Sequence, residues 1–212
     1  MPDANGKFRG ISVPEDAWTR IFGPALADDP AYDEYVSQAA AHDLQLRHGA
    51  HTNMIEALNC GAGWAVDQSG HVGFMGDDHR PRTPGWDVRY LDTLRGLGWG
   101  WVYGNDLLQG ANLPTQFAMS SDIVRVLGFM VPPQLKHLFA DNYVLKLGTQ
   151  AGRLRYLDDV IVEHMHPVNG KAAWDDGYKR VNSGEVWGHD QAVFDQYDFT
   201  DDLRQLRRLM PA

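Results

Sequence analysis

The chain has 212 residues, 43% of them hydrophobic and 22% charged, a composition that fits one globular domain with a sizeable core. The formal net charge of −9 argues against a broad basic surface for nucleic acid, so any phosphate binding must be local or metal-assisted. With one cysteine, no signal-peptide pattern and no run of 18 apolar residues, the chain is expected to be cytoplasmic and to lack a membrane span.

Helices and strands are predicted to alternate along the chain. The first half is expected to contain a helix over 31–42, a short strand over 44–47, a helix from Asn53 to about Gly61 and a strand over 70–76. Further elements are a helix over 85–97, strands over 99–104 and 117–119, helices over 122–127 and 141–151, and strand character over 155–157 and 160–162. This order predicts an α/β fold with a mostly parallel sheet flanked by helices, in a single domain.

Polar residues follow several of the predicted strands. Ligands of open α/β sheets gather at the carboxyl ends of strands, so these residues are expected to share one site. They are Asp77, Asp78, Asn105, Asp106, His164 and His166.

The acid pair and the two histidines are candidate metal ligands. The carboxylates of Asp77 and Asp78 suit Mg²⁺ or Mn²⁺, and such an ion can hold a diphosphate. His164 and His166 share a face if the strand continues through both. For the acid pair, the alternative is an acidic turn that follows a strand and binds no metal. For the histidines, the alternative is that one lies in the core and the other on the surface.

Two further residues are candidates for binding and catalysis. Lys171 is placed to reach a phosphate as a point charge, or is an exposed loop lysine. Asp141 opens the predicted helix 141–151, where it either caps the helix or acts as a general base. The helix dipole would lower the pKa of its carboxyl and keep it ionised.

Four short stretches, in this order and spacing, resemble the GT-A-fold (Rossmann-like) nucleotide-sugar glycosyltransferases. The likeness is greatest to family-2-like enzymes of bacteria and their phages. The stretches are residues 76–87, 102–106, 137–143 and 163–171. The resemblance covers roughly residues 27–182, between an atypical N-terminal segment (1–26) and a C-terminal helical tail (183–212).

The resemblance implies metal-dependent transfer of a sugar from a nucleoside-diphosphate sugar to an acceptor hydroxyl. Asp77 and Asp78 would stand for the family's Asp-X-Asp motif, with Asp78 as the direct ligand of Mn²⁺ or Mg²⁺. His164 or His166 would complete metal or diphosphate binding, and Asp141 would be the base of an inverting reaction.

The resemblance also implies residues that bind the donor. Asn53 and Asn59 would border the nucleotide, and Asp28 and Asp29 would lie near its base and ribose. Residues 1–26 lack the family's usual first strand and nucleotide-binding loop. Either another segment or a second subunit in a homodimer is therefore expected to complete the donor site, or donor binding is weak or lost.

Three functions stay open from the sequence. The first is a glycosyltransferase acting on a glycan, a protein or a modified base. The second is a metal-dependent hydrolase of nucleotide sugars or phosphoesters, and the third is a non-catalytic module that binds a glycan or a partner on a degenerate GT-A fold.

Overall fold

Five strands form the sheet of the computed structural model, which describes residues 51–210. Their order across the sheet is β1-β4-β3-β5-β2. The strands are β1 His71–Phe74, β2 His79–Pro81, β3 Trp101–Asn105, β4 Phe117–Ser120 and β5 Leu154–His164. The expected helix over 31–42, the strand over 44–47 and the candidate donor residues Asp28 and Asp29 lie outside the described residues.

The sheet is mixed, so the expectation of a mostly parallel sheet is only partly confirmed. β3 and β5 run parallel, whereas the pairs β1–β4, β4–β3 and β5–β2 are antiparallel. The connections explain the difference. A crossover through helices separates β4 from β5, but the chain returns from β3 to β4 through a loop without an α-helix, which suits an antiparallel neighbour.

Seven α-helices lie along the described part of the chain, and within residues 51–162 the order of helices and strands matches the predicted one except for the unpredicted strand β2. The long helices fall within a few residues of their predicted bounds. The helices are α1 Met54–Ala65, α2 Trp86–Leu97, α3 Ser121–Leu127, α4 Ala140–Gln150, α5 Asp176–Val181, α6 Gly184–Gln196 and α7 Phe199–Leu206. No helix among these residues is long and apolar enough to cross a membrane.

The core is divided between the two faces of the sheet. Successive residues of a strand point to opposite faces, and β3 follows this rule. Trp101 packs in the larger apolar cluster, whereas its neighbour Val102 packs with Leu94 of α2 in the smaller one. Phe199 and Leu206 of α7 join the larger cluster. Residues 51–210 therefore form a single α/β domain whose sheet is covered by helices on both faces.

β5 is one strand where two segments were expected. Gly104 pairs with Leu157 but the next residue, Asn105, pairs with Ile161, so β5 bulges between these positions. Beyond the bulge β5 continues to His164, which lies opposite His79 of the three-residue strand β2. This pairing brings two histidines together that lie far apart in the sequence.

Candidate metal centre and active-site cavity

A cavity of about 750 Å³ lies at the end of the sheet where β1 and β5 finish. The turn after β1, the segment leading into α4, and α5 form its walls. Six of the residues predicted for the site line it: Asn53, Asp77, Asp78, Asp141, His164 and His166.

Asp78, His79 and His164 form a compact group in this cavity. Asp78 Oδ2 accepts hydrogen bonds from His164 Nε2 at 2.9 Å and from the Tyr178 hydroxyl at 2.7 Å. Asp78 Oδ1 lies 3.1 Å from His79 Nδ1, and the two imidazole rings stack with centroids 4.1 Å apart. One nitrogen or oxygen from each of the three residues lies within 4.8 Å of the others. This is a mixed donor set that suits a divalent cation.

His79 belongs to this group although the sequence analysis gave it no role. It follows Asp77 and Asp78 directly, so the third position of an Asp-Asp-His run was the available signal. The position of His79 in that run does not by itself predict a role. The role depends on the short strand β2, whose pairing with β5 places His79 opposite His164.

His166 stands apart from the group. The strand does not continue through His166, the condition for the two histidines to share a face, because β5 ends at His164. His166 instead begins a 3-10 turn, and its Nδ1 accepts a hydrogen bond from the backbone N–H of Val168 at 3.2 Å. Its ring meets that of His164 edge to face, with centroids 4.9 Å apart, so it borders the candidate centre without joining it.

The pKa values of Asp78, His79 and His164 depend on one another and on burial. Burial opposes ionisation of Asp78, but the hydrogen bond from His164 and the positive charge of its imidazolium outweigh it and hold the pKa of this carboxyl well below its usual range. Burial likewise disfavours the His164 imidazolium, yet Asp106 and Asp78 on its two sides raise its pKa to about 9. Burial lowers the pKa of His79. A metal ion bound here would displace the His164 proton.

The donor atoms around His79 favour a cation in the group. The Thr115 hydroxyl donates its only proton to Asp106 Oδ2 at 2.8 Å, so its oxygen accepts from His79 Nε2 at 3.3 Å. A neutral His79 then has a lone pair on Nδ1, a buried atom without a hydrogen-bond partner among the described residues. That lone pair faces Asp78 Oδ1 at 3.1 Å. Two electron-rich atoms this close repel each other, and a cation bound between them would remove the repulsion.

Gly76 keeps the space beside these atoms open. A Cβ at position 76 would lie 2.7 Å from Asp78 Oδ1 and 2.9 Å from His79 Nδ1, both closer than real Cβ contacts. Only glycine therefore leaves room next to the two candidate ligand atoms. The orphaned nitrogen and this opening both fit a bound metal ion.

Asp106 is the second carboxylate near the histidines. Its Oδ1 accepts three backbone N–H groups, from residues 108–110, at 2.7 to 3.0 Å. Its Oδ2 lies 3.6 Å from His164 Nδ1, longer than a hydrogen bond but close enough for attraction between charges. Burial opposes its ionisation, but these neighbours prevail and hold the pKa of Asp106 below its usual range.

Asp141 lies on the cavity wall in the first turn of α4. Helix α4 begins at Ala140 with Phe139 in the capping position, and Asp141 Oδ1 accepts from the backbone N–H of Asn142 at 2.9 Å. The predicted lowering of its pKa is wrong. Burial raises the pKa of this carboxyl and outweighs the opposing hydrogen bond.

The cations near the cavity differ from the sequence prediction. Lys171 Nζ pairs with Glu163 Oε1 at 2.5 Å, and Lys171 does not line the cavity. Lys136 and Arg180 do line it. Within residues 51–210, neither of these two side chains has an ion pair or a hydrogen bond. Among residues 51–210, they are therefore the free cations of the cavity wall.

The two asparagines of α1 have structural partners. Asn53 caps the helix by accepting from the backbone N–H of Glu56 at 2.9 Å, and it also lines the cavity. Asn59 does not line the cavity. It joins α1 to the segment before α4, accepting from the backbone N–H of Met130 and donating to the carbonyl of Val131, each at 2.9 Å.

Comparison with solved structures relates the fold to a glycosyltransferase. No protein-family model and no curated protein sequence matches the chain. The structure of the mannosyltransferase PcManGT from Pyrobaculum calidifontis, in complex with GDP-Man and Mn²⁺, is similar with a TM-score of 0.54 and 16% sequence identity. The match covers 85% of this chain and 57% of that chain. At this identity the comparison shows only that the fold is similar to that of this mannosyltransferase, and the activity has to be argued from the residues.

Proposed function

We propose that this protein is a metal-dependent glycosyltransferase of the GT-A type, which moves a sugar from a nucleoside-diphosphate sugar to an acceptor hydroxyl. The observation that carries the proposal is the cluster of Asp78, His79 and His164 beside the opening left by Gly76. The cluster lies in a cavity large enough for a small ligand, in a chain with a glycosyltransferase fold.

Three residues would hold the cation in this proposal, Asp78 through an oxygen and His79 and His164 through nitrogens. A bound Mn²⁺ or Mg²⁺ supplies positive charge that stabilises the nucleoside-diphosphate leaving group. The Tyr178 hydroxyl orients Asp78 by donating to its Oδ2.

The diphosphate of the donor would also meet the free cations of the cavity wall. Lys136 and Arg180 line the same cavity as Asp78 and lack acidic partners in the described part of the chain. In a chain with a net charge of −9, two cavity cations that have no acidic partner among residues 51–210 favour an anionic ligand. They replace Lys171 in the proposed phosphate-binding role. Asn53 and Asp77, on the same wall, keep their proposed place beside the donor.

Asp141 would take the proton from the attacking acceptor hydroxyl. Its carboxyl lies on the cavity wall, and its raised pKa makes it a stronger base than an ordinary aspartate. In-line attack opposite the leaving diphosphate would invert the configuration of the anomeric carbon.

The first experiment is calorimetric titration of GDP, UDP and dTDP into the protein, with and without Mn²⁺. Metal-dependent binding of one nucleotide that is lost in Asp78→Ala is the expected result. The matching nucleotide sugar is then incubated without an acceptor, because rapid donor consumption there would indicate a hydrolase. Absence of nucleotide binding under both conditions would reject the transferase in favour of a non-catalytic module.

A further inference from the structure

We infer that Asp106 is a positioning residue that sets the tautomer and the ring orientation of both histidines in the candidate metal centre. The inference rests on the proposed metal site, but it also predicts a property of the metal-free protein. Histidines that bind metals commonly donate their second ring N–H to an oxygen, which fixes the nitrogen that faces the ion.

Asp106 is itself held in one position. The residue is 1% exposed, and the four donors to its carboxylate come from the turn that follows β3 and from Thr115. Its backbone carbonyl accepts the N–H of His164 at 2.9 Å, which ties this turn to the end of β5. Both carboxylate oxygens already have partners, so Asp106 is suited to orienting other groups and poorly suited to binding the ion directly.

Asp106 reaches His79 through Thr115. An ionised carboxylate only accepts hydrogen bonds, so the Thr115 proton must point to Asp106. The Thr115 oxygen is then an acceptor for His79, whose proton is placed on Nε2. The other nitrogen, Nδ1, is thereby left with its lone pair beside Asp78 Oδ1. The charge of Asp106 thus decides which nitrogen of His79 faces the candidate metal position.

Asp106 acts on His164 without an intermediary. Its Oδ2 faces His164 Nδ1 at 3.6 Å, while His164 Nε2 faces Asp78 at 2.9 Å. When a cation displaces the proton of Nε2, the negative charge beside Nδ1 favours keeping the other proton on that atom, so Nε2 is the nitrogen that binds the ion. One buried carboxylate therefore presents Nδ1 of one ring and Nε2 of the other to the same point.

The alternative role of Asp106 is to cap the turn after β3, and Asp106→Asn separates the two roles. Asparagine can keep its Oδ1 on the three backbone N–H groups. Its Nδ2, however, donates to Thr115, which reverses the hydrogen bond and makes Thr115 donate to His79 Nε2. The proton of His79 is then expected to move to Nδ1. A capping residue alone would leave the tautomer unchanged.

The test uses the full chain labelled with ¹⁵N in its histidines. Nitrogen NMR of the metal-free wild type is expected to show His79 protonated on Nε2, and Asp106→Asn is expected to show it protonated on Nδ1. Electron paramagnetic resonance titration is expected to show Mn²⁺ affinity reduced about 10- to 100-fold in Asp106→Asn. Asp158→Asn, which removes the same charge from an exposed position, is the control and should keep wild-type affinity.

A second variant covers the case in which Asp106→Asn does not fold. Thr115→Val removes the hydrogen bond to Asp106 and the link to His79 but leaves the Asp106 carboxylate beside His164. It is expected to abolish the preference for Nε2 of His79 and weaken Mn²⁺ binding. An unchanged His79 tautomer together with unchanged Mn²⁺ affinity in the folded variants would overturn the inference. If the wild type binds no Mn²⁺, the proposed metal function fails, and the tautomer of His79 still decides the role of Asp106.

Discussion

The backbone of Gly76 lies so close to His79 that a side chain at position 76 would touch Nδ1 of its imidazole. Gly76→Ala is expected to fill the opening beside the candidate ligand atoms and weaken Mn²⁺ binding at least 10-fold, because the new methyl group would occupy space next to Asp78 and His79. Calorimetry with Mn²⁺ measures the change. Gly61→Ala is the matched control, since a Cβ there meets nothing within 4 Å. Equal affinities in both variants would contradict this location for the metal.

Removing the proposed base should separate catalysis from donor binding. Asp141→Asn preserves the size of the side chain and its place on the cavity wall, but it cannot accept a proton at neutral pH. Sugar transfer is expected to fall about 10²- to 10⁴-fold, the usual contribution of a general base. Binding of the nucleotide with Mn²⁺ should stay close to that of the wild type. Transfer at the wild-type rate in Asp141→Asn would remove this residue from the mechanism.

The free cations of the cavity wall should discriminate diphosphates from nucleosides. Lys136→Ala and Arg180→Ala are each expected to weaken nucleoside-diphosphate binding about 10-fold, because each removes a charge that has no acidic partner in residues 51–210. Binding of the corresponding nucleoside, which lacks phosphates, should change little. Lys171→Ala is the control, since Lys171 pairs with Glu163 away from the cavity. The opposite pattern, with Lys171 dominant, would restore the assignment made from the sequence.

Acid should destabilise the fold through His137. Burial lowers the pKa of His137 from 6.5 to about 4. The unfolded chain then binds more protons than the folded chain between these values, so the free energy of unfolding falls as pH drops from 6.5 to 4. The loss is at most about 3 kcal/mol. Urea titrations across this range measure it, and His137→Gln should flatten the dependence. If the free energy of unfolding of His137→Gln depends on pH as strongly as that of the wild type, groups other than His137 cause the loss.

A buried carboxylate of α6 should stabilise the wall of the cavity. Asp190 is 0% exposed and accepts the backbone N–H groups of Lys136, His137 and Leu138 at 2.7 to 2.9 Å. Asp190→Ala would leave these donors without a partner, so we expect a loss of about 2 to 4 kcal/mol in the free energy of unfolding. Asp195→Ala, at an exposed position of the same helix, is expected to change it by less than about 0.5 kcal/mol. Similar values for both variants would argue against the anchoring role.

The sequence predicted the long elements well because their apolar periodicity is local. Helix α2 and strand β3 lie close to their expected bounds, since the turn glycines that flank them and the apolar residues within them are visible in the sequence. The direction of strand pairing is not local. It depends on which connections cross over, and the antiparallel neighbours of β4 leave no periodic signal.

The residues of the candidate site divide in the same way, into those that a local pattern predicts and those that depend on contacts between distant segments. Asp78 and His164 were identified because they end strands, and the structure places them 2.9 Å apart. Asp106 was identified in the same way, but its link to His79 runs through Thr115, and His79 joins the group through a three-residue strand. No spacing in the sequence reveals either of these connections. The helix dipole suggested an acidic Asp141, but the cost of burying its charge exceeds the benefit of its position in the first helical turn.

Strand β2 is only three residues long, and in the described sheet it pairs with β5 alone. It carries His79, and β5 carries His164, so a cation held by both would join the two strands as a cross-link does. The ion would then act on folding as well as on chemistry, since binding to the native state alone adds stability in proportion to the logarithm of its concentration. The concentration of free metal ion would thus set how often β2 separates from β5.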